Sequence, residues 1–156
     1  MTESKDFEKT YWYVPPRYLP ALLAGTAPAP HAKPIVDQTV WRFQRCHGGY
    51  LTGMGATNIG NGWSYMMMIG SITPAGLVKI SFSPLDTSSS GAITIGDGSF
   101  DGKVFVMQMT SGSASLSVTH WAHMAQLKPT MPEWHALPGY ADTGVPDLTG
   151  LETPIV

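Results

Sequence analysis

The feature that most constrains this chain is a run of short apolar segments between Gly62 and Met124. Each is cut off by Gly, Pro, Ser or Asp before two helical turns can accumulate. Gly62–Ile69, Gly76–Phe82, Ala92–Ile95, Lys103–Met109 and Leu116–Trp121 are rich in β-branched and aromatic residues. Asp86–Gly91 punctuates the middle of the run. This is the pattern of consecutive antiparallel strands. Upstream, Gln38–Cys46 alternates Trp41 and Phe43 with Arg42 and Gln44, a half-buried strand, and Gly48-Gly49 turns the chain into Tyr50–Thr57. About seven strands joined by hairpin turns, with no helices between them, predict an all-β fold. The expected architecture is a closed or nearly closed antiparallel barrel, with a sandwich as the alternative.

Three divisions follow within one domain: an N-terminal arm over residues 1–36, a barrel over 37–127 and a proline-rich C-terminal arm over 128–156. Residues 1–10 are polar and expected to be mobile. Pro20 at a first helical position and Gly25 just past the end predict one short helix across Leu19–Gly25. Ala27–Pro34, with three prolines, reads as a linker. The C-terminal arm carries Trp134, Leu137, Tyr140, Val145, Leu148 and Leu151, which require burial although no regular element is spelled out.

Composition narrows the function. Charged residues are 13% of the 156, where about 25% is usual for a soluble domain. From Cys46 to Val78 no side chain carries a formal charge other than a protonated His47. Such a chain is expected to self-associate or to bury part of its surface on a partner. The net charge of −2 with scattered basic residues argues against nucleic acid. One cysteine, Cys46, excludes an internal disulfide framework and fits a reducing, cytoplasmic location. No apolar run is long enough for a membrane helix, and residues 1–6 do not resemble a signal peptide.

Catalytic and metal motifs fail on spacing. Gly53–Gly60 matches neither nucleotide-binding glycine pattern, and no helix follows it. Asp97–Gly102 lacks the third ligand and distal glutamate of a calcium loop and reads as a turn. Ser88–Gly91 and Ser111–Ser113 are loop composition. His120 and His123, three apart on a strand, point to opposite faces and cannot chelate one ion without a bulge. No catalytic residue, metal ligand or cofactor of its own is expected for this chain. His120 stands out, because it shares a strand face with Leu116 and Val118 and must find a partner or a polar cavity there.

Aromatic and methionine residues supply the remaining candidates. Trp63, Tyr65, Met67 and Ile69 lie on one strand face, Met66 and Met68 on the other. One face is the barrel interior, and the second needs a cover. Trp63, Tyr65, His120, Trp121 and Arg42 are the expected ligand-pocket residues. Trp12, Tyr13, Met66, Met68, Trp134 and Tyr140 are the expected partner-interface residues.

In size and strand spacing the layout resembles the calycin-type small barrels, lipocalins and fatty-acid-binding proteins among them, without the lipocalin Gly-x-Trp opening. The Trp12-Tyr13-Val14-Pro15-Pro16-Arg17-Tyr18-Leu19-Pro20 entry and the Asp37-Gln38-Thr39-Val40-Trp41 strand start carry a narrower resemblance. They are similar to the small subunit of two-subunit, iron-dependent hydroquinone ring-cleaving dioxygenases. That resemblance implies a larger cupin-type catalytic subunit holding Fe(II), with this chain shaping the pocket beside it. Two other functions fit the same barrel: a stand-alone carrier of a small aromatic or apolar ligand, and a metal-free cyclase, isomerase or decarboxylase using His120 or Arg42.

Overall fold

A computed structural model describes residues 4–85 and 92–151. The loop reading of Ser88–Gly91, the burial expected of Leu151 and the ends of both arms lie outside the described residues. Ten strands form one antiparallel sheet: β1 (Tyr11–Tyr13), β2 (Pro20–Gly25), β3 (His31–Val36), β4 (Gln38–His47), β5 (Tyr50–Asn58), β6 (Ser64–Ile72), β7 (Leu77–Pro84), β8 (Ile93–Phe100), β9 (Val104–Gly112) and β10 (Leu116–Leu127). The sheet closes through β10. Its C-terminal end pairs with β1, Tyr13 against Ala125, while its N-terminal end pairs with β2, Thr119 against Leu22.

β1 and β2 are therefore two halves of one barrel stave. The break between them is a 3-10 turn at Pro16–Tyr18. Pro15 and Pro16 lack the N–H a paired strand needs, so a ladder cannot run through them. β3 and β4 are likewise one stave, bent at Asp37. Counted this way the barrel has eight staves, in the ring order β1/β2, β3/β4, β5, β6, β7, β8, β9, β10.

The helix expected at Leu19–Gly25 is instead β2. Its residues alternate, with Ala21 and Leu23 buried and Pro20 and Leu22 exposed. Six residues are too few to offset helix nucleation, and ladders to β10 and β3 replace the helical bonds. The linker expected over Ala27–Pro34 is half strand as well. Pro34 is accommodated because β3 has β2 on one side only, an edge position.

The barrel interior is filled from one end. Residues 4–10 are not a loose tail: Ser4–Phe7 is a 3-10 turn, and Phe7 is inserted among Trp12, Phe43, Phe100 and Phe105, its ring 5.0 to 6.2 Å from theirs. Backbone bonds from Lys9 N to Phe43 O and from Phe43 N to Thr10 O strap this segment to β4. Above the plug lie Trp41, Phe82, Met68 and Met107, all fully buried.

Outside the barrel the C-terminal arm folds back on its own chain. Leu137 and Leu148 are fully buried against Tyr13, Val40, Met54, Ala56 and Leu127. β4 is thereby covered on both faces, so Arg42, expected on an exposed or pocket face, is buried under the arm. The interface expectation changes with it. Trp12, Met66 and Met68 point into the core, and Tyr13 lies beneath the arm; none has surface left for a partner. Trp134 and Tyr140 are half-buried parts of the arm, Trp134 edge-on to Tyr11 at 4.9 Å and the Tyr140 hydroxyl donating to Val36 O at 3.0 Å. No helix of the described residues is long and apolar enough to cross a membrane.

Replacing the plug tests this account. Phe7→Ala should cost about 3–5 kcal/mol in urea unfolding, the usual loss for a buried phenylalanine. A loss under about 1 kcal/mol would show that residues 4–10 are not part of the cooperative core.

Candidate functional site

At the end opposite the Phe7 plug the inward residues become polar, and a cavity of about 110 Å³ remains. Its polar corner forms where the staves are interrupted. Asp37 sits at the bend between β3 and β4, Thr39 is the next inward residue, and Thr57 faces Thr39 across the β4–β5 ladder. The Thr57 hydroxyl donates to Asp37 Oδ1 at 2.7 Å. Thr39 Oγ1 lies 3.2 Å from both Asp37 Oδ1 and Thr57 Oγ1. His120 enters from β10, its Nδ1 3.2 Å from Asp37 Oδ2. Its Nε2 donates to the Tyr18 carbonyl at 2.6 Å, in the turn that splits the first stave. The Asp37 backbone N–H donates to Leu19 O at 3.0 Å.

These contacts fix the protonation logic. A carbonyl only accepts, so His120 Nε2 carries a proton. Nδ1 faces the Asp37 carboxyl group, an arrangement that favours the protonated ring. Burial pulls the His120 pKa down. The Asp37 hydrogen bond, the Asp37 charge and the Tyr18 carbonyl together outweigh it, so the net shift is upward. Three buried side-chain atoms among the described residues lack partners, Trp41 Nε1, Thr52 Oγ1 and His123 Nε2, and none belongs to this cluster. The cluster is satisfied internally.

Satisfaction limits its chemistry. Both His120 nitrogens are engaged, so the ring offers no free base to a ligand. The pair is neutral overall, so neither an anion beside Asp37 nor a cation beside His120 is matched. What the corner presents is oxygen lone pairs, and these suit a neutral hydrogen-bond donor. The rest of the wall is mostly apolar, with Ile59, Met66, Phe82, Met109 and Val118, and carries two further hydroxyls, those of Thr94 and Ser111. Among the described residues no group of three His, Cys, Asp or Glu is placed to hold a metal. Cys46 is buried, and burial with the nearby Glu8 pushes its thiol up to about 12, so it is no nucleophile.

Of the five expected pocket residues, only His120 lines the cavity. Trp121 follows it on the strand, points outward and is 64% exposed. Trp63 and Tyr65 share the parity of Met67, not Met66, and pack outside beside the arm. Arg42 is also outside, its guanidinium 5.9 Å from the Tyr11 ring. His123 points away from His120, as alternation requires, and stacks on Tyr18 at 3.7 Å. Asp37, Thr39 and Thr57 were not singled out from sequence. The available signal was the carboxylate immediately ahead of the strand that begins at Gln38.

No family model matches the chain, and no curated protein or solved structure is significantly similar to it.

The two histidines should titrate in opposite directions. His120 moves above the ordinary histidine value, whereas burial and the Arg17 charge move His123 below it. The folded state holds the His120 proton more tightly than the unfolded chain does. Its stabilisation is therefore complete below the unfolded pKa of about 6.5 and is lost as pH rises through the folded value. His123 has the opposite sign, a penalty that grows as pH falls below about 6.5. Proton NMR titration of the two rings checks this. A His120 midpoint below that of His123 would contradict the Asp37 pairing.

Proposed function

We propose that this barrel binds a small, neutral, largely apolar molecule through a hydrogen-bond-donating group, a hydroxyl above all. The observation that carries the reading is the cavity: a largely apolar chamber with one built, hydrogen-bonded polar corner whose unspent capacity is to accept. Its size sets the scale. An engineered cavity of about 150 Å³ holds benzene, so about 110 Å³ suits a ligand no larger than one small ring, with part of it at the mouth. In this reading His120 orients Asp37 and ties it to the Tyr18 turn. An acid–base role for His120 or Arg42 gains no support, since one has both nitrogens engaged and the other lies outside the barrel.

A second reading, a subunit of a hydroquinone ring-cleaving dioxygenase, draws support from the outer wall. Ile69, Ile95 and Leu22 remain exposed in one cross-strand row, separated by Ser81, Thr110 and Thr119. Charged side chains are few there, and Lys79 and Asp97 neutralise each other at 3.4 Å. In that assembly the larger subunit holds Fe(II), and the Asp37 cavity offers a hydroxyl-bearing aromatic compound a site beside it. Either reading fits a cytoplasmic protein with a single reduced cysteine.

Amide and methyl NMR with phenol, benzoate and anilinium as probes separates the possibilities. Phenol should shift Thr57, Met66, Phe82 and Met109, benzoate and anilinium should not, and Asp37→Asn should weaken phenol binding by about tenfold. Phenol shifts confined to the outer wall would end the cavity reading. For the subunit reading, size-exclusion chromatography of the single chain should show self-association. A well-behaved monomer would count against it.

A further inference from the structure

The ring order that places Asp37, Thr39 and Thr57 on one wall places a second polar pair on the wall facing them. Thr94 on β8 and Ser111 on β9 are cross-strand partners, and both line the cavity. β8 stands four staves from β4, and β9 four staves from β5, in a ring of eight, so the two pairs are diametrically opposed. Their states differ. Thr39 and Thr57 are bonded to Asp37, whereas the Thr94 and Ser111 hydroxyls have no partner among the described residues. Apolar Phe82, the cross-strand neighbour of Thr94, and Val118, the neighbour of Ser111, lie beside them.

We propose that Thr94 and Ser111 form a second polar subsite, and that the ligand is a short two-ended molecule such as a diol or hydroxy-ketone. One end donates to Asp37, the middle lies over Phe82 and Met109, and the other end meets the Thr94–Ser111 pair. This rests on the binding reading above and extends it to the ligand's second group. A hydroxyl both donates and accepts, so the pair takes an alcohol or a carbonyl equally. A one-ended ligand filling the cavity would strip water from two hydroxyls and leave them unpaired, which is the costly case. A purely structural role would be served at least as well by valine at position 94, which keeps the β-branch a strand favours and removes the polar atom.

The test uses two probes with equal numbers of heavy atoms, 1-pentanol and 1,4-butanediol, titrated into the full chain and followed by methyl NMR of Met66 and Met109. Thr94→Val and Ser111→Ala are introduced together. The affinity ratio of diol to pentanol should fall by about five- to tenfold in the double variant, with pentanol binding retained. An unchanged ratio overturns the second subsite. If pentanol binds in the cavity and the ratio ignores the substitutions, only this proposal fails. If neither probe reaches the cavity in the parent chain, the binding reading fails with it. Should the double variant not fold, Ser111→Ala alone should lower the ratio by about threefold, and no change there is equally decisive.

Discussion

A barrel whose closing stave contains Pro15 and Pro16 must lose ladder bonds where those prolines fall. Everything distinctive at the cavity end is a response to that loss. Between Thr119 and Ala125, β10 has no strand beside it on the closing side, because β2 ends its pairing at Leu22 and β1 begins at Tyr13. The Pro16–Tyr18 turn spans the gap, and it is pinned by the Tyr18 carbonyl to His120 and by the Leu19 carbonyl to the Asp37 amide. A buried polar cluster of this kind is a poor source of stability compared with an apolar core. Here it holds three chain segments that the sheet cannot hold.

The same interruption explains why a cluster of carboxylate, imidazole and hydroxyl groups is at this end of the interior. Towards Phe7 the closing ladders of β1 to β4 and β10 are in place, the β4–β5 ladder carries one bulge between Phe43 and Arg45, and aromatic rings fill the space. Towards Asp37 the backbone departs from the ladder, and carboxylate, imidazole and hydroxyls are recruited to satisfy it. A cavity lined with directional groups is the by-product, and the same feature that repairs the fold gives the chamber its chemistry.

Much of this was legible in the sequence. Alternation and turn residues from Gln38 onwards specified the strands, and the antiparallel meander followed from turns too short for crossovers. His120 was marked by its apolar strand-mates. The helix at Leu19–Gly25 was misread because proline before and glycine after also bracket a short strand, and only the unpaired edge of β10 decides between them. Trp121 was misplaced against the rule of alternation itself, since its neighbour His120 already took the inward side. Asp37 and Thr57 are 20 residues apart and meet only through the β4–β5 register. Arg42 and the methionine faces depended on the arm, whose docking no local pattern announces.

The arm also has a temporal consequence. Its Trp134 rests on Tyr11 and its Pro138 carbonyl is held by Gln38, while β10 completes the ring against β1. Staves from early in the sequence are thus closed by residues far along it. The bonds joining His120 to the Tyr18 carbonyl and Tyr140 to the Val36 carbonyl span more than 100 positions, so closing this cylinder is a non-local step, slow relative to the folding of a helical bundle of equal length.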